Sequence, residues 1–209
     1  MFHVERVVKN FFPDKDLAKI MAQFAQLKEL YFKWNNKINI SSIRDEESFW
    51  IKHIIDSLCL AKYIKDNFEN KDVLDVGSGG GFPALVLSLI LDSNVVALEP
   101  IKKKTDFIDH CSFRLKLKNI KTVNSKFGEL NKSYSVVVSR ALGLYKELCD
   151  HFFGLDQNTK IVIMTTSKNI EGFDYQYKLG LDEYAYANSE CSDKLKDHVL
   201  CECFYKKNN

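Results

Sequence analysis

Two acids and a cluster of glycines carry the first chemistry visible in this chain. Asp75 lies in a short apolar run, Val73-Leu-Asp-Val76, two residues ahead of Gly77, the first of four glycines (Gly77, Gly79, Gly80 and Gly81) that end at Phe82-Pro83. Glu99 closes a second apolar run, Val95-Val-Ala-Leu98, sixteen residues past Pro83. The pattern predicts a strand, a tight turn and a helix from Ala84 to Leu91 with Pro83 in its first turn, where a missing N–H costs nothing. A nucleotide-type ligand is expected at that helix N-terminus, close to the turn backbone, with Glu99 placed to accept from a ribose.

Two ligand classes suit such a unit. Gly79-x-Gly81-x-x-Ala84 can be fitted to the dinucleotide fingerprint, and a sulfonium cofactor such as S-adenosylmethionine also suits a glycine turn with a strand-end acid. Asp75 favours the second, because a carboxylate there would repel a pyrophosphate but could pair with an ammonium group. A capping or solvated carboxylate is the plainer alternative. Arg140 follows the apolar strand Val136-Val-Val138, and its planar fork suits phosphate or guanine as well as a structural ion pair. His53 and Asp56 are three apart on a predicted helix and therefore share a face. They could fasten that helix to the rest of the molecule or reach the cofactor or a base. From Lys102 to Lys126 eight basic residues stand against Asp106 and Asp109, a local net of +6 in a chain whose total is +2. A solvated helix face explains such a run; so does a surface that follows an RNA backbone.

These residues need a frame. Length 209 suits one substantial domain with a modest appendage. Residues 14–35 repeat apolar side chains at helical spacing, with Asp14 as N-cap; a second helix is expected from near Asp45 to Asn67, with Asn35 to Ser42 as the connecting loop. Residues 1–68 thus form an N-terminal helical cap. From Asp72 strands near 72–76, 94–99, 120–124, 134–139 and 159–165 alternate with helices near 83–91, 102–116 and 143–153, the rhythm of a parallel sheet with right-handed crossovers. Beyond about residue 180, Tyr184 to Ala187 and Val199 to Tyr205 are expected as two strands forming an antiparallel hairpin at one edge, before a frayed tail of four residues. The six cysteines show no C-x-x-C, and no His pair stands at ligand spacing, which points to reduced thiols and no metal site. No signal peptide or membrane span is expected, so the protein is placed in the cytoplasm.

Several segments between residues 23 and 145, taken together, resemble the bacterial RNA methyltransferase family RsmG, also called GidB. They are Trp34-Asn-x-x-Ile-Asn-Ile with Ile43-Arg-Asp, Lys52-His-Ile-Ile-Asp-Ser57, Leu74-Asp-Val-Gly-Ser-Gly-x-Gly-Phe-Pro83, Glu99 with the lysines after it, and Ser139-Arg-Ala141. The resemblance implies a class I Rossmann-like α/β methyltransferase: a mostly parallel seven-stranded sheet, helices on both faces, and the helical cap before one compact catalytic unit at 69–209. It implies methyl transfer from S-adenosylmethionine, leaving S-adenosylhomocysteine, to N7 of one guanine in 16S ribosomal RNA, free or in the small subunit, by a monomer without metal, membrane or DNA. The cofactor is then expected at Asp75, Gly77, Gly79, Phe82, Glu99, Phe127, Gly128 and Arg140. Arg140, His53 and Asp56 are the expected catalytic group, and Lys103, Lys104, Arg114 and Lys116 the RNA contacts. The chain departs from the family pattern at Lys52 (usually arginine), Ala84 (commonly glycine), Gly128 (often glutamate) and Thr165-Thr-Ser167, where a Lys-Gly pair is frequent. Guanine N7 is a neutral acceptor with an in-plane lone pair, so in-line transfer to it needs positioning but no general base. An RNA-binding regulator without catalysis, and a methyltransferase for protein or small molecules, are the competing readings.

Overall fold

The computed structural model describes residues 2–68, 71–170, 175–180, 182–191 and 195–205. The expected tail of four residues, 206–209, lies outside them. The chain opens with α1 (Phe2–Phe11), a helix not expected from the residue pattern, and α2 (Leu17–Ile38). The cap of α2 is Asp16, whose side chain accepts from Lys19 N–H at 3.1 Å; Asp14, expected in that role, instead pairs with Lys65 at 2.7 Å. The helix also runs past the expected loop start at Asn35 to Asn39, which closes it in the left-handed region. Asp45 caps α3 (Glu46–Ser48), which continues through a π-helical segment, Phe49–Ile55, into α4 (Asp56–Asn67).

The sheet then follows the expected alternation: β1 (Val73–Val76), α5 (Ala84–Ile90), β2 (Val95–Leu98), α6 (Lys102–Arg114), β3 (Ile120–Val123), a 3₁₀ turn at Phe127–Glu129, β4 (Val136–Arg140), α7 (Tyr145–Leu155) and β5 (Lys160–Thr166). The chain ends with α8 (Ser167–Ile170), β6 (Gln176–Gly180), α9 (Asp182–Cys191) and β7 (His198–Phe204). Strand order is β3-β2-β1-β4-β5-β7-β6, with β1 to β5 parallel and β7 antiparallel to both neighbours. Every residue of β1 and β2 is buried, as strands covered on both faces must be.

One late expectation fails. Tyr184 to Ala187 lie in α9, and the partner of β7 is the earlier strand β6, so the two edge strands are joined by a helix rather than a hairpin turn. Tyr184 and Ala187, three apart and both buried, face one way on that helix. Burial against α1 and α4, not the β-preference of tyrosine, decides the local structure.

Two cores flank the sheet. On one face α1, α2, the π-helical segment, α4, α5, α6 and α9 pack over Val73, Ala97, Val138 and Met164. On the other, α7 and α8 cover Leu74, Val96, Val137 and Ile163, with Cys149, Cys201 and Cys203 in the same cluster. The alternation of these residues along each strand is the period of two that sends neighbours to opposite faces. The five cysteines whose side chains are described are buried. No helix among the described residues is long and apolar enough to cross a membrane.

Candidate active site

Open α/β sheets bind ligands at the carboxyl ends of their strands, and here the singled-out residues of β1, β2 and β4 converge at that end. The turn after β1 is held from several sides. Gly77 and Ser78 N–H both donate to Leu98 O, at 2.9 and 3.0 Å, and Gly79 N–H donates to Glu99 Oε2 at 2.9 Å. Glu99 Oε1 accepts from Ile101 N–H at 3.0 Å, so this buried carboxylate braces both the glycine turn and the start of α6. Its remaining lone pairs are what a hydroxyl could meet.

The glycines have different tasks. Gly79 has φ +56°, and a Cβ there would meet nothing nearer than Gly77 O at 3.8 Å, so its need is conformational and the space above it is open. Gly80 is a packing glycine: a Cβ would lie 2.5 Å from Ile40 Cγ2. Ile40 ends the Trp34-to-Ile40 segment, whose Asn35 is 2% exposed, donates to Ile43 O at 2.8 Å and accepts from Ser41 N–H at 3.0 Å. That segment therefore locks the loop after α2 onto the glycine turn.

Asp75 is fully buried. Its Oδ2 accepts from Ala84 N–H at 3.2 Å, so this acid and not a ligand caps α5, whose preceding residue is Pro83. Among the described residues its Oδ1 has no hydrogen-bond partner. Burial pushes the Asp75 carboxyl up to about 6, although Ser78, Arg140 and the Ala84 amide pull the other way.

Arg140, at the end of β4, draws the remaining site residues together. Its Nη1 donates to Lys52 O at 2.8 Å and to Asp56 Oδ2 at 3.3 Å, and its Nη2 lies 3.1 Å from His53 Nδ1. A guanidinium only donates, so His53 Nδ1 accepts and the ring proton sits on Nε2, which faces Ser41 Oγ and Tyr31 Oη at 3.4 Å each. Burial, reinforced by the Arg140 charge, holds His53 down to about 3, a neutral imidazole at physiological pH. Its ring stacks on Phe82 with centroids 4.2 Å apart and planes 5° from parallel. Asp56, 1% exposed, also accepts from Tyr184 Oη at 2.7 Å and pairs with His198 Nδ1 at 3.1 Å. Burial alone would raise this carboxyl, but His198, Arg140 and Tyr184 together lower it. The π-helical segment ends at Ile55, so its wider turn sets the spacing by which His53 and Asp56 both reach Arg140.

Tyr184 and His198 escape a reading of the sequence. They stand 128 and 142 residues from Asp56, in the late segment where no motif marks them. Beside this network a cavity of about 370 Å³ is lined by Lys52, His53, Arg140, Tyr145, Thr165 and Asn169. Phe127 and Gly128 lie after β3, at the same end of the sheet, where Asn124 Nδ2 donates to Glu99 O at 2.9 Å. The Phe127 ring meets His151 edge-on at 5.7 Å, and a Cβ on Gly128 would meet nothing within 4 Å. The four expected RNA contacts do not form one patch. Lys103 and Lys104 start α6 at the crevice, whereas Arg114 and Lys116 lie at its far end, thirteen residues or about 20 Å away. Among the described residues no group of His, Cys, Asp and Glu could hold a metal ion.

Solved structures share this architecture. A putative S-adenosylmethionine-dependent methyltransferase from Methanococcus maripaludis superposes with a TM-score of 0.56 at 14% identity, over 78% of this chain and 91% of its own. Magnesium protoporphyrin IX methyltransferase from Synechocystis PCC 6803, with bound SAM, gives 0.52 at 13% identity over 86% and 97%. The fold is thus that of the class I, Rossmann-like methyltransferases. A family model, rRNA small subunit methyltransferase G, matches residues 20–188, and the chain belongs to this GidB family. Ribosomal RNA small subunit methyltransferase G of Christiangramia forsetii is 37% identical over 142 residues, 66% of this chain and 65% of the relative, and that of Cytophaga hutchinsonii is 33% identical over 144 residues, 68% and 67%. The match thus spans just under two thirds of the first relative's length.

Proposed function

We propose that this chain transfers a methyl group from S-adenosylmethionine to N7 of a guanine in small-subunit ribosomal RNA. Family membership gives the reaction class, and one observation carries the cofactor: Asp75 Oδ1, buried beside the glycine turn, is an acceptor with no donor among the described residues. A buried oxygen of that kind is costly unless something donates to it, and the ammonium of a methionine moiety is a donor of the right charge. S-adenosylmethionine, when bound, supplies an electrophilic methyl on a sulfonium.

The chain's own residues position and exclude. Gly77 and Gly79 let the backbone approach the ligand, Glu99 accepts from ribose hydroxyls while its backbone donors hold it still, and Phe127 and Gly128 flank the adenine. Arg140 keeps two N–H donors beyond those spent on Lys52, Asp56 and His53, enough to hold guanine O6 or a phosphate while N7 stays open. His53 and Asp56 fix the guanidinium, and Phe82 under His53 ties that network to the glycine turn. No proton leaves N7, which agrees with a neutral His53 whose Nδ1 is occupied. Lys103 and Lys104 would meet phosphates flanking the guanine. Residues 1–68 act as a cap on a catalytic unit at 69–209, in a cytoplasmic monomer.

Two measurements test this. Labelled S-adenosylmethionine offered with naked small-subunit RNA, assembled subunits or bulk protein should put label into RNA as 7-methylguanine; label in protein alone would refute the reading. Calorimetry with S-adenosylhomocysteine should show affinity falling for Asp75→Asn, and rising for the unaltered protein as pH rises through about 6, because the ammonium needs the ionised carboxylate. Affinity independent of both would remove Asp75 from the cofactor site.

A further inference from the structure

The end of the sheet opposite the crevice carries a second constellation. Residues just before β1, β2, β3 and β4 enclose a groove of about 400 Å³, lined by Lys118, Lys121 and Lys132 among others. Its one carboxylate, Asp72, accepts from Asn94 Nδ2 at 3.0 Å. Several lysines elsewhere on the surface are matched with acids, Lys15 with Asp92, Lys65 with Asp14, Lys146 with Asp150 and Lys102 with Asp106, while others, Lys103 and Lys104 among them, pair with no described acid. Arg114, Lys116, Lys118, Lys121 and Lys132 make no ion pair with any described residue. Lys132 lies instead 5.4 Å from the Tyr134 ring.

One residue before Arg114 stands Phe113, 80% exposed, where the next most exposed large apolar residue among those described, Leu144, is 47%. It does not line the groove but stands at the end of α6, on the turn that leads into it. Its carbonyl accepts from Lys116 N–H at 3.2 Å, and Ser112 O accepts from Leu117 N–H at 2.9 Å, forming the turn that leads to Lys118. An exposed aromatic ring within five residues of Arg114, Lys116 and Lys118 is a single ring, not a contiguous apolar patch for a protein partner. It does offer what single-stranded nucleic acid uses, a stacking face and phosphate ligands side by side.

We propose that this groove is a second RNA-binding surface, in which Lys118, Lys121 and Lys132 hold the phosphates of a single-stranded segment while Phe113, on the turn leading into it, stacks on one unpaired base. The inference rests on the ribosomal RNA reading above and adds an anchor about 20 Å from the crevice, the length of α6. It allows the protein to recognise a region several nucleotides away from the methylated guanine.

The experiment is binding of the full chain to naked small-subunit RNA across a salt series, with S-adenosylhomocysteine affinity measured in parallel. Lys118→Gln/Lys121→Gln/Lys132→Gln should make the salt dependence shallower by about 2 in log–log slope, at roughly 0.7 to 0.9 for each phosphate no longer neutralised. Phe113→Leu should weaken binding about tenfold with the slope unchanged, as expected when one base no longer stacks. Both variants should bind S-adenosylhomocysteine normally. Unchanged RNA affinity and slope in both would overturn the proposal while leaving the methyltransferase reading intact. An unaltered protein that binds cofactor but no RNA would overturn both. Variants that lose affinity only for assembled subunits would give the groove to a ribosomal protein and overturn the RNA assignment.

Discussion

The buried network beside the crevice and the groove at the other end of the sheet treat charge in opposite ways. At the carboxyl ends of the strands Arg140 and Asp56 are withdrawn from solvent, 3.3 Å apart, with side-chain exposures of 20% and 2%, and further satisfied by His53, Tyr184 and His198. At the amino ends Lys118, Lys121 and Lys132 line a groove without an ion pair among the described residues. The first arrangement fixes geometry, because a buried charge with several partners has one favourable position. The second leaves long side chains mobile and their charges available, which suits a partner whose phosphates displace counterions. Rigid charge positions a reacting atom; free charge gathers a polyanion.

The contrast is most exposed to disproof at the shared acceptor of the crevice. Asp56→Ala would leave Arg140, Tyr184 and His198 without their common partner, and urea unfolding should show a loss of about 3 to 5 kcal/mol. Replacing any lysine of the groove should change stability by less than about 0.5 kcal/mol. Comparable losses at both ends would erase the distinction.

A second test uses pH. The Asp75 carboxyl, raised to about 6, contributes stability that is present below the unfolded value near 3.8 and lost as pH rises through 6. His53, lowered from 6.5 to about 3, does the reverse: its contribution is present above 6.5 and lost as pH falls towards 3. Between about pH 4 and 6 the folded state binds one proton more at Asp75 and one fewer at His53, so the two slopes cancel. Asp75→Asn should unmask stability rising with pH by about 1.4 kcal/mol per unit, and His53→Gln a fall of the same size. Parallel pH profiles for the unaltered protein and both variants would show that neither group is buried as described.

The smallest effect belongs to the basic end. Lys116 leaves α6 at φ 56°, where glycine carries no Cβ penalty. Lys116→Gly should stabilise the fold by about 0.5 to 1 kcal/mol in urea unfolding. If Lys116 touches a phosphate, the same substitution should make the salt slope of RNA binding shallower by about 0.7 to 0.9. A gain in stability with no change in slope would mark Lys116 as a plain helix terminus.

Much of the frame was legible because its signals are local. The runs around Val73, Val95 and Val136 and the helix from Lys102 announce themselves within a few residues, and β1, β2, β4 and α6 fall where those signals put them. Asp14 for Asp16, and a strand for α9, are the failures of local signals. Two acids flank Lys15 just after Pro13, either of them able to cap, and Tyr184 and Ala187 are buried by helices far away in sequence.

Residue type and spacing along a few turns of chain suffice for the doubly covered parallel sheet, the glycine turn, the strand-end acids Asp75 and Glu99, and the resemblance to one family. They do not reveal that Asp75 caps α5 with one oxygen and leaves the other unmatched among the described residues, that Gly80 serves Ile40, or that Arg140 is held by Asp56 and His53. Folding in three dimensions joined Tyr184 and His198 to Asp56 and sent the basic residues of α6 to opposite ends of the sheet. Hydrogen bonds and burial join residues across more than a hundred positions of chain, and periodicity carries no information about which distant side chain will arrive.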